Sequence, residues 1–307
     1  MNQDYSQHHK QGYISQSVES FIESLSREIH SIYLLAEQGE SFRMDNLWKL
    51  SGKLIHHMRT DPRIIGTALF SDNDKYSVVS HSFNTAILAA YMGLYVLRDV
   101  LQLNLLVMTA CIHDIGMVQI PDDILFKQTL LSNHEIKVIR RHPVIGNRLI
   151  YEAGAFANLP IKKMLGEIIL QEHERDGGTG YPFQITAEQI HLLSTLLGIC
   201  DTYETLTHAR PWRQKMHPTV ALREISRLSR EYFPADYVNT FIQTLTYFPI
   251  GTIVKLNDGR IGEVIAVNSN DPQHPKIHIV DDDPQTTDII DLHLNPNYNI
   301  NQIIISE

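Results

Sequence analysis

The chain has 307 residues, of which 43% are hydrophobic and 20% are charged, the balance of a globular protein with a sizeable core. Its formal net charge of −9 argues against binding of nucleic acid polymers, which requires a basic surface that displaces counterions. Cys111 and Cys200 lie in apolar runs, so we expect both to be reduced core residues of a cytoplasmic protein. The sequence has no run of eighteen apolar residues and no signal-peptide pattern, so we expect no membrane partner.

The first part of the chain is predicted to be a polar tail followed by helices. Residues 1–16 lack a hydrophobic pattern and are predicted to be a disordered tail. Apolar residues recur at helical spacing through 17–61, which predicts two helices joined by a turn near "EQGESF" (37–42). We expect this N-terminal helical region to serve packing or the formation of a homodimer.

Residues 62–248 are predicted to form a helical bundle. An amphipathic helix at 80–96 precedes an apolar, buried helix at 105–115. Ser132 and Glu135 have the spacing of a capping box, which predicts the start of a third helix running past His142. Four more helices are expected, at 161–173, 187–207, 218–229 and 235–245. Between the first two of these, three glycines and a proline in "ERDGGTGYPFQ" (174–184) predict a compact loop.

At Pro249 the helical pattern gives way to alternation of apolar and polar residues. Asn257-Asp258-Gly259 is typical of a hairpin turn, and further strands are expected at 276–280 and 289–294. We therefore predict a small β-barrel module over 249–307. Its nine acidic and three basic residues argue against RNA binding and favour a structural or protein-docking role.

Polar residues interrupt apolar helices at several places. In "ACIHDIGMVQIP" (110–121), His113 and Asp114 end a helix that is expected to be buried. Burying either group without a partner costs several kcal/mol. One such pair means little among sixteen histidines, but five predicted helices each carry an imidazole or a carboxylate out of an apolar stretch. These residues are His81, His113, Asp114, His142, His173 and Asp201.

A single metal cluster would satisfy all of these groups together. Imidazole nitrogens and carboxylate oxygens suit iron, manganese, zinc or nickel, and the sequence offers no thiolate set. An aspartate can bridge two ions through its two oxygens. Two metals about 3.5 to 4 Å apart can hold a hydroxide between them and stabilise both the attacking and the leaving oxygen of a phosphoryl displacement.

The order H…HD…H…H…D, with "HERDGGTGYP" (173–182) and "DTYETLTHARPWR" (201–213), resembles the HD-GYP family over about residues 75–220. That family is a branch of the HD-superfamily metal-dependent phosphohydrolases, and it hydrolyses the bacterial second messenger cyclic di-GMP. The resemblance implies a mainly α fold, with 62–248 as an HD-type helical bundle and phosphodiesterase domain flanked by the N-terminal helices and the β-module.

The resemblance also implies two divalent transition-metal ions, with iron or manganese favoured over zinc or nickel. One ion would be held by His81, His113, Asp114 and Asp201, and the second by Asp114, His142 and His173. Where the family usually has a further histidine, this chain has Glu172, whose oxygen can ligate and would favour iron or manganese. The alternative is that Glu172 is a surface carboxylate and that the second ion binds weakly.

Other matching positions are expected to contact the substrate. The resemblance assigns Arg210 and Arg213 to the phosphates of a cyclic dinucleotide, and a guanidinium fork suits phosphate oxygens. For each arginine, a helix cap or a surface ion pair is the alternative. Gly180 and Tyr181 would line the mouth of the pocket, where the tyrosine contacts a phosphate or stacks on a guanine. Glu204 would orient a ligand or the attacking water.

The chain departs from the family pattern at several positions. Met117 stands where the family has a lysine that assists the scissile phosphate, and loss of such a group typically costs about 10²- to 10⁴-fold in rate. Ser77 replaces a glutamate that binds a third metal in some members, so two ions are expected. Lys127 matches the pattern, but we expect a structural role. The aspartate before the Gly-Tyr-Pro segment, Asp176, is displaced by one place, which leaves its role open.

Three functions remain open on this basis. The first is a phosphodiesterase that converts cyclic di-GMP to pGpG, and further to GMP, with a hydroxide bridging the two metals as nucleophile. The second is a slow or inactive member that acts as a cyclic dinucleotide receptor or binds a partner such as a diguanylate cyclase domain; Met117 and Glu172 motivate it. The third keeps the metal site and changes the substrate to another nucleotide, such as cyclic GMP-AMP.

Overall fold

The computed structural model describes residues 16–69, 77–154, 159–211, 213–229, 231–245, 252–268, 271–280 and 288–303. The tail predicted at 1–16 lies outside the described residues except for its last position. The two predicted N-terminal helices are present as α1 (Gln16–Glu37) and α2 (Asp45–Thr60). The turn between them contains Gly39 at a φ of 70°, a conformation that glycine adopts without strain.

The rest of the helical part consists of short and long helices in close succession. They are α3 (Ile65–Leu69), α4 (Val78–Val96), α5 (Val100–Ile112), α6 (Asp122–Leu125), α7 (Asn133–Ile139), α8 (His142–Glu152), α9 (Leu159–Gln171), α10 (Leu192–Thr207), α11 (Pro218–Leu228) and α12 (Ala235–Leu245). Single 3-10 turns occupy Pro62–Ile64, Ile115–Gln119 and Ala187–Gln189. The predicted mainly α fold is confirmed.

Helices α4 and α5 form the centre of the bundle. Every described residue of α5 from Leu103 to Ile112 is buried, as the apolar sequence predicts. The prediction of an amphipathic α4 is wrong, because this helix packs against α2, α5, α10 and α12 and is buried on several sides. Helix α1 is also fixed to this centre, since the Tyr33 hydroxyl lies 2.7 Å from Ser82 Oγ of α4.

The segment Val100–Gln119 combines α5 with the 3-10 turn that follows it. By length and composition alone it could cross a membrane, with a mean hydropathy of 1.4. However, 83% of its most apolar stretch is buried inside the protein, as is typical of a core helix.

Two predicted helix ends differ from the structure at the positions that carry polar residues. The helix that starts with the Ser132–Glu135 capping box ends at Ile139 and does not run past His142. Pro143 explains the break, because proline lacks an amide proton and is tolerated only in the first turn of the new helix α8. Likewise α9 ends at Gln171, so His173 lies in the turn beyond it.

The C-terminal strands form a five-stranded antiparallel sheet in the order β4-β3-β2-β1-β5. Its strands are β1 (Ile253–Leu256), β2 (Ile261–Asn268), β3 (Asp271–Ile279), β4 (Ile289–Asp291) and β5 (Ile300–Ile303). The predicted hairpin joins β1 to β2, with Gly259 at a φ of 92°. Among the described residues the sheet is open rather than closed into a barrel, because the edge strands have only three and four residues.

Candidate metal centre

Side chains from five helical segments meet at one buried point. They come from the first turn of α4, the end of α5, the start of α8, the turn after α9 and the middle of α10. Their ligand-type atoms form three overlapping groups, each with all atoms within 4.8 Å of one another. The groups are His81, His113 and Asp201; Asp114, His142 and His173; and Glu172, His173 and Asp201. The structure thus brings together all seven residues proposed as metal ligands.

Asp114 lies between the two sides of this cluster. Its Oδ2 is 3.5 Å from His81 Nε2 and 3.8 Å from His113 Nε2. Its Oδ1 is 3.2 Å from His142 Nε2. Burial alone would raise the pKa of Asp114, but the three imidazoles outweigh burial and lower it. The two oxygens of one carboxylate therefore face different imidazoles, which is the arrangement that a bridging ligand needs.

The first side of the cluster contains His81, His113 and Asp201. Asp201 Oδ1 is 3.0 Å from His81 Nε2 and 3.9 Å from His113 Nε2. The two Nε2 atoms are 3.2 Å apart. Burial opposes ionisation of Asp201, yet its hydrogen bond with His81 and the nearby imidazoles hold its pKa well below the usual range. Asp201 is therefore an anion that faces two imidazole nitrogens.

The second side contains His142, His173 and Glu172. The Nε2 atoms of His142 and His173 are 3.0 Å apart, and Glu172 Oε1 is 3.4 Å from His173 Nε2. Burial lowers the pKa of His142, and burial together with His142 lowers that of His173 well below the usual value. Both imidazoles are therefore neutral at physiological pH, which is the form that binds metals.

Hydrogen bonds at the Nδ1 atoms of His113 and His142 fix the orientation of these two rings. His113 Nδ1 donates to Ala110 O and His142 Nδ1 donates to Ile139 O, each at 2.9 Å. In a neutral imidazole, a proton on Nδ1 leaves the lone pair on Nε2. The main chain thus selects the tautomer that presents a ligand nitrogen to the cluster, as outer hydrogen bonds do in metal sites.

Glu204 performs this orienting role for His81. Its Oε2 makes a short hydrogen bond with His81 Nδ1, while Asn84 Nδ2 donates to Oε1 at 3.2 Å and Arg210 Nη2 donates to Oε2 at 3.3 Å. Burial opposes the charge on both partners, but their mutual attraction prevails. It lowers the pKa of Glu204 to about 2 and raises the pKa of His81 to about 9. Without a metal ion the two side chains therefore form a buried ion pair, and an ion bound at His81 Nε2 would take the place of the proton there.

The environment of Glu172 indicates whether the cluster suits a bound cation. Glu172 is 1% exposed, and neither of its oxygens has a hydrogen-bond donor within the described part of the chain. Burial, followed by the charges of Asp201 and Asp114, raises its pKa well above the usual value. The alternative of a surface carboxylate is therefore wrong. Because a buried carboxylate without a partner is costly, a divalent cation shared with His173 and Asp201 fits this nitrogen and oxygen donor set.

A close approach of two backbones places Asp114 next to His142. A Cβ atom on Gly116 would overlap the carbonyl oxygen of His142 and lie 2.6 Å from Gly146 N. Only glycine allows the 3-10 turn after His113 to pack directly on the first turn of α8. The glycine is visible in the sequence, but its contact with α8 could not be predicted, because the two segments are separate in the chain.

Glu174 fixes the compact loop of the Gly-Tyr-Pro segment, and sequence reasoning missed this residue. Its carboxylate is 2% exposed and accepts main-chain N–H groups from three consecutive residues of the loop. These are Phe183 at 2.6 Å, Gln184 at 3.1 Å and Ile185 at 3.2 Å. Its position beside His173 was the available signal, although nothing in a single sequence distinguishes a buried glutamate from an exposed one.

The same loop places Tyr181 against the cluster. Its ring stacks on the ring of His173, with centroids 4.6 Å apart and planes at 18°, and its N–H donates to His173 O at 3.1 Å. Gly180 permits this turn, because a Cβ there would lie 2.5 Å from the same carbonyl oxygen. Burial raises the pKa of Tyr181 well above its usual value, so the phenol is a neutral hydrogen-bond donor beside the predicted ligands.

The two arginines predicted to bind phosphate are both engaged within the protein. Arg210 donates to Thr205 Oγ1 at 2.9 Å in addition to Glu204. Arg213 donates to the carbonyl oxygens of Thr205 and Leu206 at the end of α10. The contacts of Arg213 match the helix-cap alternative, while Arg210 lies next to His81, at 3.1 Å from its Nδ1.

The remaining predicted positions have apolar or structural surroundings. Met117 is 9% exposed and packs in a small apolar cluster with Ile120 and Leu125, and its own side chain carries no charge. Lys127 Nζ lies 2.7 Å from Glu135 of the capping box, a contact that matches the expected structural role. Ser77 is the N-cap of α4, since its hydroxyl accepts the N–H of Ser80.

Comparison with known proteins identifies a family whose model covers the segment that carries these residues. A family model described as "HD domain" matches residues 68–236, and one described as "KOW domain associated with HD domain" matches 253–307. The cyclic di-GMP phosphodiesterase PA4108 of Pseudomonas aeruginosa is 31% identical over 168 residues, which are 55% of this chain and 39% of that protein. The cyclic di-GMP phosphodiesterase PdeB of Borreliella burgdorferi is 25% identical over 202 residues, 66% of this chain and 52% of that protein.

Both relatives are longer, and the chain spans 39% and 52% of their lengths. Among solved structures, Bd1817 of Bdellovibrio bacteriovorus, described as an HDG"Y"P protein, superposes with a TM-score of 0.61. The match covers 73% of this chain and 70% of that one at 15% sequence identity. This likeness confirms the predicted HD-type fold.

Proposed function

The chain belongs to the HD domain family, in its HD-GYP branch, and from this premise we propose that it is a metal-dependent phosphodiesterase that hydrolyses cyclic di-GMP to pGpG and further to GMP. We propose residues 62–248 as the catalytic domain, with the C-terminal sheet within 249–307 as a docking or structural module. The cytoplasmic location, the homodimer through α1 and α2 and the diguanylate cyclase domain partner stay predictions.

The observation that carries this proposal is the cluster around Asp114 and Glu172. One carboxylate faces imidazoles on both sides, and the other is buried without a hydrogen bond within the described residues. Two bound divalent ions, with iron or manganese favoured, would supply Lewis-acid stabilisation to the oxygens of the phosphoryl group. They would be held by His81, His113, Asp114, His142, Glu172, His173 and Asp201.

Other residues of the chain act by positioning. Glu204 holds the His81 ring so that Nε2 faces the cluster, and the carbonyls behind His113 and His142 do the same. Tyr181 presents a neutral hydroxyl at the edge of the cluster, suited to a phosphate oxygen, while its ring stacks on His173. Arg210 sits beside His81 with its charge partly compensated by Glu204.

A cyclic dinucleotide receptor with little or no turnover is the second candidate function. The structure gives one observation in its favour, because Met117 occupies an apolar pocket and supplies no proton or charge to the leaving oxygen. Loss of such a group typically costs about 10²- to 10⁴-fold in rate. A receptor would retain the fold, the cluster and ligand affinity without forming product.

The test combines metal analysis with a product assay. We would purify the protein without oxygen, load it with iron or manganese, measure the ions per chain, and follow cyclic di-GMP, cyclic GMP-AMP and a nucleotide monoester. The proposal expects about two ions per chain and formation of pGpG, fastest from cyclic di-GMP. Tight calorimetric binding without product, in the wild type and in Met117→Lys, would establish the receptor instead. Turnover that persists after complete metal removal would contradict both.

A further inference from the structure

We propose that Arg140 binds the second phosphate of a cyclic dinucleotide, the one that is not cleaved, and thereby determines specificity for cyclic dinucleotides over simple phosphodiesters. This inference rests on the proposed function and goes beyond it, because it assigns a substrate contact to a residue outside the predicted motifs.

Arg140 lies at the rim of the metal cluster. It caps the C-terminus of α7, is exposed to solvent, and its guanidinium carbon is 5.1 Å from the centroid of the Tyr181 ring. Tyr181 in turn stacks on His173, whose Nε2 is 3.0 Å from His142 Nε2. A continuous series of contacts therefore leads from the cluster to this guanidinium.

Four other cationic side chains of the helical bundle are engaged within the described protein. Arg210 contacts Glu204 and Thr205, Arg213 contacts main-chain oxygens of α10, and Lys127 is held by Glu135. Arg175 donates to the carbonyl oxygens of Glu172 and Glu174.

Within the described parts of the chain, Arg140 has no carboxylate at ion-pair distance, and its guanidinium lies over the ring of Tyr181. A planar guanidinium held over a ring keeps its N–H groups available at the edge, where they can bind a phosphate bidentately. Arg140 is thus a cation at the rim whose hydrogen-bonding capacity is not used by the described protein.

Tyr181 and His173 lie between Arg140 and the cluster, so we assign Arg140 to the phosphate that is not cleaved. The reacting phosphate must lie against the ligand atoms, whereas Tyr181 and His173 connect Arg140 to them indirectly. A cyclic dinucleotide has a second phosphate on the opposite side of its sugar–phosphate ring. When one phosphate lies at the cluster, the other lies further out, at the rim, where the exposed guanidinium of Arg140 can bind it. A simple diester has no such group.

The test compares two substrates across three variants. Cyclic di-GMP carries two phosphates, and bis(4-nitrophenyl) phosphate carries one. Arg140→Ala should raise the KM for cyclic di-GMP roughly 10- to 100-fold with little change in kcat, because one charged contact is lost. Its kcat/KM for bis(4-nitrophenyl) phosphate should change less than about threefold. Arg140→Lys should recover part of the affinity. Arg141→Ala is the matched control, because among the described residues it is Arg140, and not this adjacent exposed arginine, that lies over the Tyr181 ring.

Calorimetric binding of cyclic di-GMP to metal-free wild type and Arg140→Ala gives a second readout that does not require turnover. An equal loss with both substrates, or an equal effect of Arg141→Ala, would overturn the role of Arg140, as would unchanged KM and binding. In each of those cases a wild type that hydrolyses cyclic di-GMP leaves the proposed function standing. A wild type that neither binds nor hydrolyses cyclic di-GMP would refute both.

Discussion

The two sides of the metal cluster are supported in different ways. On the first side, His81 lies 3.0 Å from Asp201, and Glu204 holds its other nitrogen in a buried ion pair that raises its pKa to about 9. On the second side, His142 and His173 both have lowered pKa values and face each other, and Glu172 has no hydrogen-bond donor among the described residues. Charged groups of the protein therefore pair with each other on the first side, whereas the second side leaves a carboxylate without a donor among the described residues, where a cation would fit.

The two sides are therefore expected to depend differently on a bound ion. The first side is organised by the fold itself, so it can hold its geometry before an ion arrives. The second side carries the energetic cost of a buried, unpaired carboxylate, which ion binding removes. Asp114 joins them, because its two oxygens face His81 on one side and His142 on the other. Substitutions on each side should therefore have distinct effects.

The largest effect is expected from the residue shared by both sides. Asp114→Asn keeps the shape of the side chain and removes the charge that both ion positions would share. We expect loss of both ions and a fall in turnover of at least about 10³-fold. Elemental analysis and the product assay on oxygen-free protein measure both quantities. Asp123→Asn, at an exposed position of α6, is the control. A variant that retains two ions would contradict the bridging role.

Glu172→Gln tests the second side and should have opposite effects on stability and on metal binding. Without metal, the raised pKa of Glu172 means that near neutral pH folding must protonate this carboxyl at a cost in free energy, so the neutral amide should stabilise the fold by about 1 to 3 kcal/mol. With metal present, one ion should be lost and turnover should fall by about 10²-fold. Thermal unfolding in the presence of a chelator and metal titration provide the two measurements. Glu167→Gln, an exposed position on α9, should change neither. Destabilisation of the metal-free variant would show that Glu172 has a partner in the protein.

Glu204→Gln tests the first side, where the protein supplies the support. The neutral amide weakens the interaction that orients His81 without removing a metal ligand. We expect a 10- to 100-fold loss of metal affinity, as is typical for the outer partners of metal-binding histidines. Saturating metal should restore most of the turnover, which distinguishes this effect from that of Asp114→Asn. Glu152→Gln, at an exposed position of α8, serves for comparison. If excess metal restored no activity, Glu204 would have a further role in the reaction.

The smallest effect is expected at Arg213, which lies outside both sides. Its guanidinium binds carbonyl oxygens at the end of α10. Arg213→Ala should therefore cost about 1 kcal/mol of stability, and the KM for cyclic di-GMP should change less than about threefold. Chemical denaturation and steady-state kinetics measure the two quantities. A rise in KM of tenfold or more without loss of stability would restore the phosphate-binding role implied by the family resemblance.

The sequence predicted which polar side chains meet in the cluster, because each of them interrupts or follows an apolar helix. His113, Asp114 and Asp201 stand out in this way, and the helices that carry them pack at the centre of the bundle. The partners behind the ligands were harder to predict. Glu204 and His81 are 123 residues apart, so their hydrogen bond depends on the packing of α10 against α4 rather than on any local pattern.

Local structure was missed where a single residue overrides periodicity. Pro143 divides the predicted helix before His142, although the surrounding apolar spacing continues. In the C-terminal sheet, alternation predicted the longer strands, but β5 (Ile300–Ile303) was not identified and the closure of a barrel was assumed. Edge pairing depends on contacts distant in sequence, so alternation alone does not determine it.

The buried carboxylate of Glu174 has a consequence for how selectivity can evolve. It anchors the loop through the main-chain N–H groups of Phe183, Gln184 and Ile185, and these three hydrogen bonds do not depend on the identity of those side chains. Phe183 is 57% exposed. Mutation can therefore exchange the outward-facing side chains of this loop while these contacts hold it in place. Related proteins could in this way acquire new ligand preferences without a change in the fold.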